Sequence, residues 1–330
     1  MSDLRYLTDH YDEKIEKIKS YNAPLNFIFI TDEHNGLSKY ITTWDETKRP
    51  DEYEKAENAI LSMQYIIDRV PNIKCVISGG DIGCDYHPDP AEIRNSYKEV
   101  MNAFYELSVP TYCCVGNHDD ALTITHSRKR DTIPRIILPD EMHEICMKHN
   151  PTKENYFYFD YENEGYRFIF LNTSDHPYVI DETGQYVDCE ILQVSNKQAE
   201  WFENEALNTD LRIIVFCHAP IYHDHLQFGS HPYNALWNGG RIYYALKNKK
   251  NAVMTVHGDV HYDNLFYDPE KFLTVTTLCS LTQEWHPTCP KREFGTITET
   301  AFDVFSIKDN NVYITRFGAG DDREGKILRG

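Results

Sequence analysis

The sequence predicts an α/β fold, a four-layer αββα sandwich with two central mixed sheets flanked by helices. Three observations carry that expectation. Apolar, largely β-branched runs of strand length recur at 27–30, 76–77, 114–115, 213–216 and 253–256, and such unbroken runs read as strands covered on both faces. The first three alternate with helix-like segments, the β-α-β-α-β order of a mostly parallel sheet. The C-terminal part is rich in strand candidates with no helix between them and looks antiparallel.

Taken in order, residues 8–20 read as a charged amphipathic helix ahead of the strand at 27–30. A loop over 35–50, with Tyr40, Trp44, Lys48 and Arg49, leads to a helix at 52–69 and a strand at 74–78. Pro88-Asp89-Pro90 is a start signal of the capping type for a helix over 90–107, which leads to a strand at 112–115. Strands at 156–160 and 167–173 precede a helix at 195–207, then a strand at 212–217, a helix at 237–248 and a strand at 252–256. The remaining strand candidates are 264–267, 272–279, 301–307 and 312–317. No repeat, low-complexity tract or Pro/Ser-rich linker marks a boundary. Residues 1–330 therefore read as a single domain, with 1–24 an N-terminal helical extension and 263–330 a strand-rich completion of the second sheet.

Composition narrows the function. With 33 Lys and Arg against 52 Asp and Glu, the net charge of −19 disfavours a nucleic-acid or anionic-membrane surface, which needs clustered basic residues. The Arg128-Lys129-Arg130 run with Arg135 reads as a solvated helix face, with a site for a second phosphate as the alternative. No stretch approaches the roughly 18 apolar residues of a membrane span, and Met1-Ser2-Asp3-Leu4-Arg5 lacks a signal-peptide core. Nine cysteines, an odd number, form no C-x-x-C pair, and Cys75, Cys113 and Cys217 lie inside strand runs as small hydrophobes. A reducing cytoplasm is the expected compartment. The 23 Tyr and 16 Phe read as packing rather than as a sugar or nucleoside platform.

The chemistry lies in the polar clusters at the ends of the apolar runs: Asp32-Glu33-His34, Gly80-Asp81, Gly116-Asn117-His118-Asp119, His218, and His257-Gly258-Asp259-Val260-His261. Each alone has a plainer reading. Asp32 and Asp81 suit helix N-caps, Gly116-Asn117 an ordinary β-turn, and His218 and His257 a satisfied core histidine. Together they place carboxylate, imidazole and carboxamide donors at the carboxyl ends of several strands of one sheet, where α/β sheets form their ligand crevice. Those donors suit borderline divalent metals, and there are enough of them for two ions. His87, His176, His223, His225, His231 and His286 fall in loops at the same edge, as substrate contacts or as plain surface histidines.

In order and spacing these clusters resemble the calcineurin-like metallophosphoesterase family, whose signature runs D-x-H, G-D, G-N-H-D/E, a lone His after a strand, and G-H-x-H. The resemblance covers about residues 25 to 262, with one departure: Asp259 replaces the first His of G-H-x-H. It implies the αββα fold and a binuclear metal centre bridged by Asp81. Asp32, His34 and His261 complete one site; Asn117, His218 and the residue at 259 complete the other. A carboxylate oxygen and an imidazole Nδ1 both lie two bonds beyond Cβ, so Asp259 reaches a metal that a His would bind through Nδ1. The rival ligand is His257, two residues earlier.

The implied reaction is hydrolysis of a small-molecule phosphate ester by a water or hydroxide activated at the two ions, in one in-line displacement. His118 is the general acid, with Asp119 expected to hold its ring and raise its pKa. A phosphodiesterase is favoured over a phosphomonoesterase, because an acid is retained and the polar loops are long enough to enclose a second substituent. Mn, Fe, Zn and Ni all suit these ligands, and no substrate-binding residue is singled out. A catalytically weak binding protein on this fold is the competing class. Six of seven ligands are intact and the seventh is another good ligand, which speaks against it. A metallo-β-lactamase-type hydrolase would need an H-x-H-x-D-H string, and the sequence contains none.

Overall fold

Two six-stranded sheets form the centre of the computed structural model. It describes residues 5–35, 56–85, 87, 89–122, 136–179, 181–182, 192–221, 236–277, 289–293 and 296–330. The expectations for Tyr40, Trp44, Lys48, Arg49, Arg128-Lys129-Arg130, Arg135, His223, His225, His231 and His286 lie outside these residues.

The first sheet contains β1 (Leu25–Ile30), β2 (Ile73–Ser78), β3 (Thr111–Cys113), β10 (Ala301–Lys308), β11 (Asn311–Gly318) and β12 (Arg323–Lys326). Its order is β12-β11-β10-β1-β2-β3, with β1, β2 and β3 parallel and the C-terminal strands antiparallel. The second contains β4 (Phe157–Tyr161), β5 (Tyr166–Phe170), β6 (Arg212–Phe216), β7 (Ala252–His257), β8 (Asn264–Tyr267) and β9 (Leu273–Thr276). Its order is β4-β5-β6-β7-β9-β8, parallel from β5 to β9 with an antiparallel strand at each edge. Both sheets are mixed, as the sequence predicts.

Two expectations change. The strand-rich tail does not complete one sheet: β8 and β9 extend the second, whereas β10, β11 and β12 cross to the first, where β10 pairs with β1. β9 also runs parallel to β7 rather than antiparallel. A run of short strands fixes neither partner nor direction, because the same alternation serves both kinds of ladder.

Period-2 geometry explains how the layers form. Phe27 and Phe29 of β1 face the second sheet, with ring centroids of Phe27 5.2 Å from Phe168 and 5.4 Å from Phe216. Phe27 also stacks on Phe305 of β10 at 4.8 Å. Phe168, Phe170, Ile214 and Phe216 join this inter-sheet core, while the intervening Ile169, Ile213 and Val215 turn outward to a second cluster. That outer cluster includes α5 (Asn196–Trp201), which runs into a π turn at Phe202–Ala206, and α6 (Gly239–Asn248). Ser195 caps α5 by accepting from Gln198 N, and Asp89 caps α3 (Pro90–Tyr105) by accepting from Ala91 N.

α2 (Ala56–Ile67) and α3 contribute to the core of the first sheet. The N-terminal helix α1 (Arg5–Tyr21) packs there too: Tyr11 meets Phe317 edge-on at 4.7 Å, and Lys14 and Lys17 pair with Asp322 at 3.0 and 2.7 Å. A further helix, α4 (Pro139–Cys146), is one the sequence does not predict. No described helix is long and apolar enough to cross a membrane.

The phenylalanine layer is what holds the sheets face to face. Phe27→Ala is expected to lower the unfolding free energy by about 3–5 kcal/mol. Tyr21→Ala, which removes a half-buried ring stacked on Tyr313 at 4.1 Å, should cost much less. Denaturant unfolding of the two variants checks this, and equal losses would rule out the special weight given to the layer.

Candidate metal centre

The predicted ligands do not sit on one sheet. Asp32, Asp81 and Asn117 follow β1, β2 and β3 of the first sheet, whereas His218, Asp259 and His261 follow β6 and β7 of the second. The centre therefore straddles the seam where the carboxyl ends of both sheets meet.

The local backbone is unusual. Asp32 (φ 55°), His34 (φ 42°), Asp81 (φ 58°), Asp259 (φ 66°) and His261 (φ 56°) are all left-handed. Asp and His are among the residues that tolerate this region, but each such turn still costs of order 1–2 kcal/mol. Hydrogen bonds between the strand-end loops hold the turns in place. Asp32 N–H donates to Gly80 O at 2.9 Å, His34 N–H to Asp81 O at 2.8 Å, and Gly258 N–H to His218 O at 3.0 Å. Gly258 admits no side chain, since a Cβ there would collide with Thr31 Oγ1 and lie 2.5 Å from Asp32 Oδ2.

Two groups of three donors have ligand atoms within 4.8 Å of one another: Asp32, His34 and His261, and Asp32, Asp81 and His218. His261 Nε2 lies 3.0 Å from Asp32 Oδ1. Asp81 Oδ2 lies 3.6 Å from His34 Nε2 and 3.3 Å from His218 Nε2, so one oxygen faces both sides of the centre. Around His218 Nε2 there are two more oxygens, Asn117 Oδ1 at 3.1 Å and Asp259 Oδ1 at 3.5 Å. Neither His34 Nδ1 nor Asp259 Oδ2 has a hydrogen-bond partner among the described residues. His257 ends β7, fully buried, and its carbonyl accepts Thr277 N–H; it belongs to neither donor group.

Outer contacts orient these donors. His218 Nδ1 lies 2.8 Å from Gly79 O, to which only an N–H can bond, so Nε2 is the atom turned to the oxygens. Thr31 Oγ1 donates to Asp32 Oδ2 at 2.7 Å, and His118 N–H donates to Asp81 Oδ1 at 2.9 Å. Burial drives the His34 pKa down to about 3 against the pull of Asp81, which leaves this imidazole neutral, as a metal ligand must be. Burial opposes ionisation of Asp81 and Asp32, yet both carboxyls are held below the usual range, Asp81 chiefly by His218 and Asp32 chiefly by His261. The His218 ring is raised well above its usual value because Asp81 and Asp259 outweigh its burial. Oxygens that attract a proton this strongly are equally suited to a cation. The donor set fits two metal ions.

The proton-handling residues are arranged differently from expectation. Asp119 does not brace His118. Its carboxylate accepts three backbone N–H groups, from Asp81 (3.0 Å), Ile82 (2.8 Å) and Gly116 (2.7 Å), and so ties the loops after β2 and β3 together. His118 Nδ1 instead lies 2.8 Å from Oδ2 of Asp85, a fully buried residue. Burial opposes a charge on His118, but Asp85 and Asp81 raise its pKa to about 10. Sequence reasoning misses Asp85; its one signal is its place four residues beyond Asp81 in the same strand-to-helix connection.

The His118 ring stands 5.3 Å from that of His34, and His118 and Asn117 are only half-buried, so this side of the centre is the open one. His176 is buried against Asp120 at 2.7 Å, and His87 accepts Asp89 N–H beside the start of α3. The described cysteines form no disulfide, and burial pushes the Cys75 and Cys217 thiols up to about 12, far from a thiolate nucleophile.

Comparison with known proteins places this geometry. The fold is similar to that of a dimetal phosphatase from Danio rerio, with a TM-score of 0.60 at 15% identity over 92% of this chain and 99% of that one. A 5'-nucleotidase from Candida albicans is more distant, with a TM-score of 0.43 at 12% identity over 86% of this chain and 48% of that one. Among curated proteins no sequence matches. The sequence model of the calcineurin-like phosphoesterase family matches residues 25–263, most of the chain and a span that includes the positions of all seven predicted ligands. The chain belongs to the calcineurin-like phosphoesterase family, metal-dependent hydrolases of phosphoric esters.

Proposed function

We propose that the protein hydrolyses small phosphodiesters, with His118 as general acid and Asp85 as the residue that holds it. The observation that carries this reading is the ring of His118, half-buried on the open side of the ligand cluster and 2.8 Å from Asp85. With Nδ1–H donating to Asp85, Nε2 is left to deliver a proton. Asp85 raises the pKa of the ring, which favours its protonated form at neutral pH. Asp119 acts through the backbone, fixing the loops that carry Asp81 and Asn117.

Asp32, His34 and His261 are assigned to one cation and Asn117, His218 and Asp259 to the other, with Asp81 shared because its Oδ2 faces both halves. Two bound dications supply Lewis acidity, neutralising phosphoryl oxygens and lowering the pKa of a water in the site. The preference for diesters comes from the retained general acid and from charge. Against a neutral residue at the same position, Asp259 lowers by one the net positive charge that two dications would present, which favours the substrate of lower negative charge, a diester monoanion over a monoester dianion.

Metal analysis of the reconstituted protein should give two ions per chain, with the second lost in Asp259→Ala and kept in His257→Ala; the reverse pattern would make His257 the ligand. Activity on bis-(p-nitrophenyl) phosphate should exceed that on p-nitrophenyl phosphate, and Asp259→His should move the ratio toward the monoester. A wild-type preference for the monoester would overturn the diesterase reading. Finally, His118→Asn should lower activity by about 10²–10⁴-fold with metal content unchanged, more for alkyl than for nitrophenyl esters. Because Asp85 raises the His118 pKa and the acid works only when protonated, Asp85→Asn should move the alkaline limb of kcat/KM to lower pH, by roughly one to three units. A pH profile that does not move would remove Asp85 from this role.

A further inference from the structure

A second cluster of charges lies behind the centre, and neither the metal ligands nor the proton donor uses it. Arg316 of β11 is fully buried. Its Nε and Nη2 fork onto Asp303, the cross-strand residue of β10, at 2.8 and 3.0 Å. Nη1 and Nη2 fork onto Asp263 at 2.9 and 2.6 Å, and Nη1 also donates to Ala319 O at 2.8 Å. Arg323 of β12 adds contacts of 2.5 Å to Asp303 and 3.3 Å to Asp263. Thr277 Oγ1 donates to Asp303 Oδ2 at 3.2 Å. Two cations balance two carboxylates.

Such a network is poorly explained by stability, since well-packed apolar residues of the same volume generally do as well or better. Its placement supplies the missing reason. Asp263 is two residues beyond His261 and four beyond Asp259, both of which are left-handed. The segment from Gly258 to Asp263 is therefore strained, and its ends need fixing from outside. At one end Gly258 N–H is bonded to His218 O. At the other, Asp263 is gripped by the Arg316 fork, the geometry that fixes a carboxylate in both position and plane. Space around the fork is reserved for it: at Gly320 (φ 101°) a Cβ would lie 2.6 Å from Arg316 Nη1 and 3.1 Å from Asp263 Oδ2. Arg316, Asp303 and Arg323 all lie beyond residue 263, outside the part of the chain that the family model matches.

We propose that Arg316, acting through Asp263, is a positioning residue for the cation assigned to Asp32, His34 and His261, so that the C-terminal strands help to build the metal centre. The inference rests on the ligand assignment made under the proposed function.

The test is titration of metal-stripped protein with Mn²⁺, followed by calorimetry and by Mn²⁺ paramagnetic resonance, for wild type, Arg316→Met, Asp263→Asn and the double variant. Wild type should take up two ions. Each single variant should keep the ion at His218 and Asn117 and bind the other about 10-fold more weakly, the lower end of the effect of removing an outer partner, because the link from Asp263 to His261 runs through the backbone. The double variant should be no worse than the worse single one, because both changes break one link. Asp263→Asn, at a partly exposed side chain, keeps the test open if Arg316→Met does not fold. Variants that bind both ions with wild-type affinity while only their melting temperature falls would overturn the proposal. So would an equal loss at both sites. Wild-type protein that binds fewer than two ions would overturn the ligand assignment itself, and the positioning role with it.

Discussion

The molecule is organised around a repulsion. Asp32 and Asp81 are buried and Asp259 nearly so, all converging on a few ångströms of space where low polarity strengthens the force between like charges. Imidazoles, the Thr31 hydroxyl and backbone N–H groups offset part of that cost. They are enough to keep Asp81 and Asp32 ionised, whereas burial pushes the Asp259 carboxyl up. A family whose members work with a pair of metal ions completes the balance: cations supply what the protein groups leave uncompensated.

Holding such a cluster together is the task of the two-sheet architecture. Asp81 Oδ2 faces His34 on its own sheet and His218 on the other, so the separation between the sheets sets whether one oxygen can serve both halves. Rings of Phe27, Phe168 and Phe216 fill that gap and leave little room for it to change. The left-handed turns at five candidate ligands are the local counterpart. Each lets the chain leave its strand with a donor aimed at the seam, and hydrogen bonds between neighbouring loops sustain those at Asp32, His34, Asp81 and Asp259.

This division also explains what the sequence makes legible. The inner strands announce themselves because both their faces are buried, and the ligands because each comes directly after such a run. β12, with Arg-Glu-Gly-Lys at 323–326, carries no apolar pattern; it forms because its backbone pairs with β11 and Arg323 reaches Asp303 and Asp263. The partner of His118 is misread from sequence for a geometric reason. Asp119 is its neighbour in the chain, but in this turn the Asp119 carboxylate points to the amides of Asp81, Ile82 and Gly116. Asp85 comes from another loop, and no periodicity links it to His118. The division of the ligands between two sheets is hidden too, because the local pattern of a strand does not say which sheet it joins.

The departure at Asp259 becomes intelligible in the same terms. The imidazoles of His34, His118 and His261 already crowd the centre, with the His34 ring 5.3 and 5.4 Å from the other two. With His218 there are four rings in the centre, and a carboxylate is shorter than a fifth; it reaches 3.5 Å from His218 Nε2 on a left-handed backbone that Asp accepts. Its cost is one more negative charge in a crowded site. Two contacts anchor the segment that carries it: Gly258 N–H donates to His218 O at one end, and the Arg316 fork holds Asp263 at the other. A segment anchored at both ends sustains the left-handed turns at Asp259 and His261.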